Sequence, residues 1–237
     1  MENVLSVYER AYDPLNPVVN LDESPKQLIS QTRKTFTDSQ GVVYEDFEYK
    51  REGVVDMYMI VEALAARREV LIRDDHKATT YAEVVAYIVE QMYPDAQKIT
   101  LIEDNLSAHK LSALYEVFEP KRARAIIDKL EVVRTPKHGS WLNIAECELS
   151  ILIRYGIKKR TPKKKQLQED VKIWFNNRNE KKALSTGNLP LRMRESNLNT
   201  FTRHFINDEA LGLGCVFVTY CLIAPCVYFG FDCTISV

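Results

Sequence analysis

Three acidic residues stand in stretches whose composition suits metal-assisted phosphoryl transfer: Asp22 in LDESP, Asp104 in EDNLSAH and Glu146 in SWLNIAE. Two divalent ions about 4 Å apart can carry such a reaction when carboxylates from separate elements converge on them. Mg²⁺ takes few carboxylates and leaves its other positions to water or phosphate oxygens. A single acid at the end of a strand is usually a capping or surface group. Three acids in these settings form a constellation, and the elements around them must bring them together.

The spacing of apolar residues predicts those elements. An apolar run over 17–22 ends on Asp22 and reads as a first strand. Residues 54–64 and 68–75, rich in Val, Ile, Tyr and Met, read as a hairpin pair of strands. A helix is expected over 79–93, with Ala82, Val85, Ile88, Val89 and Met92 on one stripe. Thr79 or Thr80 would cap it, with Glu83 as the capping-box acid. A short buried strand over 98–104, a helix over 109–118, a strand over 130–136 stopped by Pro136 and a helix over 143–155 complete the series. An antiparallel start that gives way to alternating strands and helices implies a mixed sheet covered by helices. Ligands of such sheets gather at the carboxyl ends of strands, where this reading places Asp22 and Asp104. The stiff loop Thr135–Trp141 would deliver the last helix, and Glu146 with it, to the same point.

These motifs resemble the DDE transposases of the mariner superfamily, in particular the bacterial insertion-sequence branch. That branch shows D-E-x-P-x-Q, D-N-x-x-x-H and P-x-x-x-S-W-L-N-x-x-E. Here they stand as Asp22 to Gln27, Asp104 to His109 and Pro136 to Glu146. The resemblance covers about residues 1–182. It implies a ribonuclease-H-like (retroviral-integrase-like) α/β fold, a mixed five-stranded sheet flanked by helices, with Asp22, Asp104 and Glu146 as catalytic and metal-binding triad. It further implies two Mg²⁺ or Mn²⁺ ions, cleavage of a phosphodiester at an element end, and attack of the freed 3′-hydroxyl on target DNA. DNA, as element ends and target, is the implied partner, with room for a homodimer. A nuclease that cuts without joining, and a non-catalytic DNA-binding remnant, are the alternatives. Glu148 rivals Glu146 for the third position. It lies two residues on, about 200° round the helix, and the L-N-x-x-E match favours Glu146. Glu23 and Glu103 adjoin the other two acids but alternate to the opposite face of their strands.

Asn105, His109 and Asn143 are read as supporting residues. Asn105 and His109 would orient Asp104 or touch phosphate, although a purely structural His is an equal reading. Lys137, His138 and Trp141 lie on the loop, where a cation can hold phosphate and an indole can stack on an unpaired base or simply anchor the loop. The chain's net charge is close to zero, but eleven basic residues against three acids between Arg154 and Lys182 give that stretch a local charge of +8. Within it Lys158, Lys159, Arg160, Lys163, Lys164 and Lys165 are the candidate DNA contacts; a merely solvated face is the competing reading.

Cys147 stands alone in the body, the other four cysteines fall after residue 214, and no C-x-x-C pair occurs. A reducing setting is the simplest reading, here a bacterial cytoplasm and its nucleoid. Residues 183–237 change texture, and 210–231 run 22 residues without a charge. That length could span a membrane, but Pro225, several glycines and the lack of a second span argue for a strand-forming or poorly ordered tail, or an end aberrant through a shifted frame. About 21 residues precede Asp22, too few for the helix-turn-helix region usual in the family, so a catalytic-domain fragment is expected.

Overall fold

The structure, a computed structural model, describes residues 2–183 apart from 34, 35, 45, 46, 138, 140, 141 and 159. The expected tail, with its apolar run over 210–231, and His138, Trp141 and Lys159 lie outside the described residues. No helix among the described residues is long and apolar enough to cross a membrane.

A short helix α1 (Glu2–Tyr8) leads into β1 (Val18–Gln31). A small exposed hairpin, β2 (Phe36–Thr37) and β3 (Val43–Tyr44), precedes β4 (Tyr49–Glu62) and β5 (Arg67–Arg73). Then come α2 (Ala78–Tyr87), β6 (Ile99–Glu103), α3 (Leu114–Val117), α4 (Pro120–Asp128), β7 (Leu130–Arg134), α5 (Ile144–Ile151) and α6 (Lys164–Glu180). The main sheet has five strands in the order β5-β4-β1-β6-β7. β4 runs antiparallel to β1 and β5, while β6 is parallel to β1 and β7. This is the mixed five-stranded sheet expected from the sequence.

The two faces of the sheet are separated by strand alternation. Val19 and Leu21 of β1 and Tyr58 and Ile60 of β4 join Tyr81, Ala82, Val85, Ile88 and Val89 in one buried cluster. Met57, Met59 and Val61 alternate to the other face, where α5 packs on β1 and β4. Burial on this scale stabilises by about 1.5–3 kcal/mol per large side chain.

Two expectations need correction. β1 does not end at Asp22 but continues nine residues beyond it, paired with β4 to Gln31. Ser24-Pro25-Lys26-Gln27 looks like a break, yet β1 pairs with β6 only through Asn20, so Pro25 sits where the strand has become a sheet edge and tolerates a missing N–H. In β4, Gly53 takes φ +128° where the register against β1 slips, a bulge geometry that a side chain would strain. Secondly, neither Thr79 nor Thr80 caps α2. The helix starts at Ala78 after an extended Lys77, and Asp75 organises the turn by accepting from the Lys77 N–H and the Thr80 hydroxyl. Both α2 and α5 end in a single π-helical turn, Ile88–Met92 and Leu152–Gly156.

Candidate active site

Asp22 lies two residues past the last β1–β6 pair, and Asp104 follows directly on β6. Both therefore emerge where the parallel pairing stops and the sheet opens. Asp22 shares its β1 face with Asn20, opposite to Leu21, and so looks toward α5. The amide of Asn143 sets the start of that helix. Its Oδ1 accepts from the Ala145 N–H at 3.1 Å, which caps α5, and its Nδ2 donates to the Leu21 carbonyl at 2.8 Å. One side chain thus ties the helix to the strand next to Asp22. Tyr8 braces the same junction, its hydroxyl lying 2.7 Å from the Leu142 carbonyl and within hydrogen-bond reach of Asn20 Oδ1, either of which can accept its one proton.

Glu146 stands in the first turn of α5, three residues after this clamp. Asp22, Asp104 and Glu146 line one open cleft of about 300 Å³, with Asn143, Leu149 and Ile153 among the other walls. Burial raises the Asp22 carboxyl to about 7, and the charges of Glu23, Asp104 and Glu146 add to the shift. The Glu146 Oε2 atom is buried without a hydrogen-bond partner among the described residues. Buried carboxylate oxygens are ordinarily paired, so one held unpaired beside two other acids marks a place for a cation. Among the described residues no three Asp, Glu, His or Cys side chains close round an ion by themselves. The cleft offers carboxylate oxygens from three elements on an open face, a donor set that fits Mg²⁺ or Mn²⁺ completed by water and phosphate oxygens.

Glu148, two residues on, has a different environment. It is fully buried and takes both arms of the Arg178 guanidinium at 2.9 and 3.1 Å, with Arg68 Nε at 3.4 Å. Asn179 of α6 adds bonds to the backbone N–H and C=O of Arg68. This cluster fastens α6 to β5 and faces away from the cleft acids.

His109 bridges Asp104 and Glu23 from behind. Its Nδ1 lies 3.0 Å from Asp104 Oδ1 and its Nε2 3.1 Å from Glu23 Oε2, while the ring stacks on Tyr81. Burial opposes its charge, but the bond to Glu23 and the nearby Glu103 and Asp104 outweigh it and raise the ring to about 9. Glu103 is buried on this same side, accepting from Tyr81 at 2.7 Å. Asn105 donates to the Thr135 carbonyl at 2.6 Å, so its amide ties the Asp104 turn to the end of β7.

Of the basic candidates, Lys137, Lys158, Lys163 and Lys165 are exposed, Arg160 is half-buried, and Lys164 pairs with Asp74 at 2.6 Å. Sequence reasoning missed Tyr8, Arg68 and Arg178 as supports. Only the helical spacing of Leu167, Val171 and Trp174 could have shown that the basic stretch includes a docked helix.

The DDE superfamily endonuclease model matches residues 17–168, more than half of the chain and the whole of the cleft. The chain belongs to the DDE superfamily endonucleases. No curated protein sequence matches it. Solved structures similar to this DDE domain include the Mos1 transposase paired-end complex with left transposon end (TM-score 0.52, 13% identity). They also include the Mos1 mariner paired end complex with Mn (0.50, 16%) and a pre-cleavage Mos1 transpososome (0.50, 14%). Each match covers 84% of this chain and 59% of the other, so the chain spans somewhat over half the length of those proteins. At these identities the likeness is one of fold: the DDE domain has the ribonuclease-H-like architecture.

Proposed function

We propose that this DDE domain is the catalytic domain of a DNA transposase, with Asp22, Asp104 and Glu146 as its metal-holding acids. The observation that carries the reading is their meeting in one cleft, with Asp22 pushed up to about 7 and a buried, unpaired oxygen on Glu146. Two divalent ions, when bound, would supply Lewis-acid activation of the phosphodiester and its nucleophile. The chain's own groups do the positioning. Asp22 and Asp104 present carboxylates from adjacent strands, Asn143 fixes the approach of Glu146, and Glu23 with His109 holds Asp104 from behind. The exposed lysines 137, 158, 163 and 165 would attract the DNA backbone. The similar Mos1 structures include complexes with transposon ends and with Mn, which supports DNA and a divalent metal as ligands here. The motif pattern favours the bacterial insertion-sequence branch and with it a nucleoid location, and the change of sequence texture near Ala183 favours a domain boundary near residue 182.

The test is Mn²⁺-dependent nicking of a DNA substrate by the native chain and by Asp104→Asn, with calorimetric Mn²⁺ binding measured alongside. Nicking and metal uptake that both vanish in the variant support the reading. Metal uptake unchanged in the variant would overturn the assignment of Asp104. Joined products on a gel separate a transposase from a nuclease that only cuts.

A further inference from the structure

A second groove, of about 250 Å³, lies between α6 and the turn that follows α5, and its α6 wall falls beyond the residues matched by the family model. Asp170, Ile173, Trp174 and Asn177 form one wall, spaced i, i+3, i+4 and i+7 on a single helical face. Gly156 and Lys158 form the other. Gly156 is required there, because a Cβ would sit 2.5 Å from the Trp174 ring. Arg178 lies over the same indole, 5.2 Å from its centroid, and holds it in place. Ile173 is 61% exposed and adds an apolar side chain to the same wall. The Oδ2 atom of Asp170 is buried and has no hydrogen-bond partner among the described residues.

These groups specify the occupant. The basic stretch draws a polyanion, but the Asp170 carboxylate inside the groove repels phosphate. The part of a polyanion that enters must therefore carry no negative charge, be flat enough to lie against an indole, and supply an N–H for Asp170. We propose that this groove binds an unpaired nucleobase bearing an exocyclic amine, while Lys158 holds the adjoining phosphate. The inference rests on the reading of the chain as a DNA-acting domain and adds to it a subsite for single-stranded DNA. Indole and apolar walls accept any base. Asp170 selects among them, since a carboxylate accepts from the cytosine N4 amine and meets only the O4 acceptor of thymine.

Binding of labelled oligo(dC) and oligo(dT) to the full chain at low salt, followed by fluorescence anisotropy, tests this. Oligo(dC) should bind about fivefold tighter, the scale of one charge-assisted hydrogen bond. Asp170→Asn should erase the preference while the salt dependence persists, and Lys158→Ala should weaken both ligands equally. Oligo(dC) should quench tryptophan emission in the native chain and much less in Trp174→Phe. Equal affinity for the two oligonucleotides, or a preference unchanged in Asp170→Asn, overturns the inference even if DNA binds strongly. Failure to bind duplex or single strands at all would overturn the DNA-acting reading, and this subsite with it.

Discussion

Glu146 and Glu148 sit two residues apart on one helix and have opposite surroundings. Glu148 is enclosed by Arg68 and Arg178, so its charge is matched and its hydrogen bonds are made. Glu146 has a buried oxygen with no partner among the described residues, and two further acids across the cleft. A buried carboxylate with its cation built in serves the fold. A carboxylate whose counter-charge must come from outside serves a ligand. The difference teaches that burial alone does not identify a site; what sets Glu146 apart is an unmatched negative charge with two further acids facing it.

The comparison can be broken most sharply by exchanging each acid for its amide. Glu146→Gln should cut Mn²⁺-dependent nicking by about three orders of magnitude or more, the scale of losing several kcal/mol of transition-state stabilisation. Its urea midpoint should match or exceed that of the native chain, because a repulsive charge has gone. Glu148→Gln should do the reverse, leaving two guanidiniums without their acid and costing about 3–5 kcal/mol in urea unfolding. A Glu148→Gln chain as stable as the native one would show that the cluster is not what fastens α6.

A smaller effect lies in pH. Asp22 is raised to about 7 when folded, against an ordinary value near 4. Between these limits the folded chain holds a proton that the unfolded chain has released, so metal-free stability should fall as pH rises from about 4 to 7. Glu103 is also raised, by burial, and contributes the same sign. The diagnostic is therefore the shallower slope of Asp22→Asn in thermal melts. His109, raised to about 9, stabilises below its ordinary value of 6.5 and loses that contribution as pH climbs through 9. His109→Gln should flatten only this upper window.

The smallest effect concerns the basic surface. Lys163→Ala with Lys165→Ala should lower the slope of log affinity against log salt for duplex DNA by up to about two. Lys164→Ala should change it less, because Asp74 already engages that ammonium. Equal slopes for all variants would show a solvated face with no part in binding.

Much of this was legible in the sequence because the sheet face and the α2 stripe follow simple periods. Residues 54–64 and 98–104 are almost uninterrupted apolar runs, and the strands there differ from the reading mainly at their ends. The length of β1 was hidden because its second half is polar and contains a proline, features that only an edge strand accommodates. Helix α4 was missed, although Pro120 stands in its first turn and Ala123 and Ile126 are buried. In α6 the charges masked a narrow apolar stripe at Leu167 and Val171. The three acids could be found through their neighbouring motif residues. The partners of Glu148 could not, because Arg68 and Arg178 lie far away in sequence and only the fold makes them neighbours.

The Asn143 clamp has one further consequence. Its amide bridges strand and helix through bonds to neutral backbone groups, and so carries no net charge. An ion pair in that place would loosen with ionic strength and change with every cation or phosphate that entered the cleft. An amide responds weakly to either. The spacing between the strand acids and Glu146 is thereby insulated from the electrical changes of a working cycle, like a gauge made from a material that does not respond to what it measures.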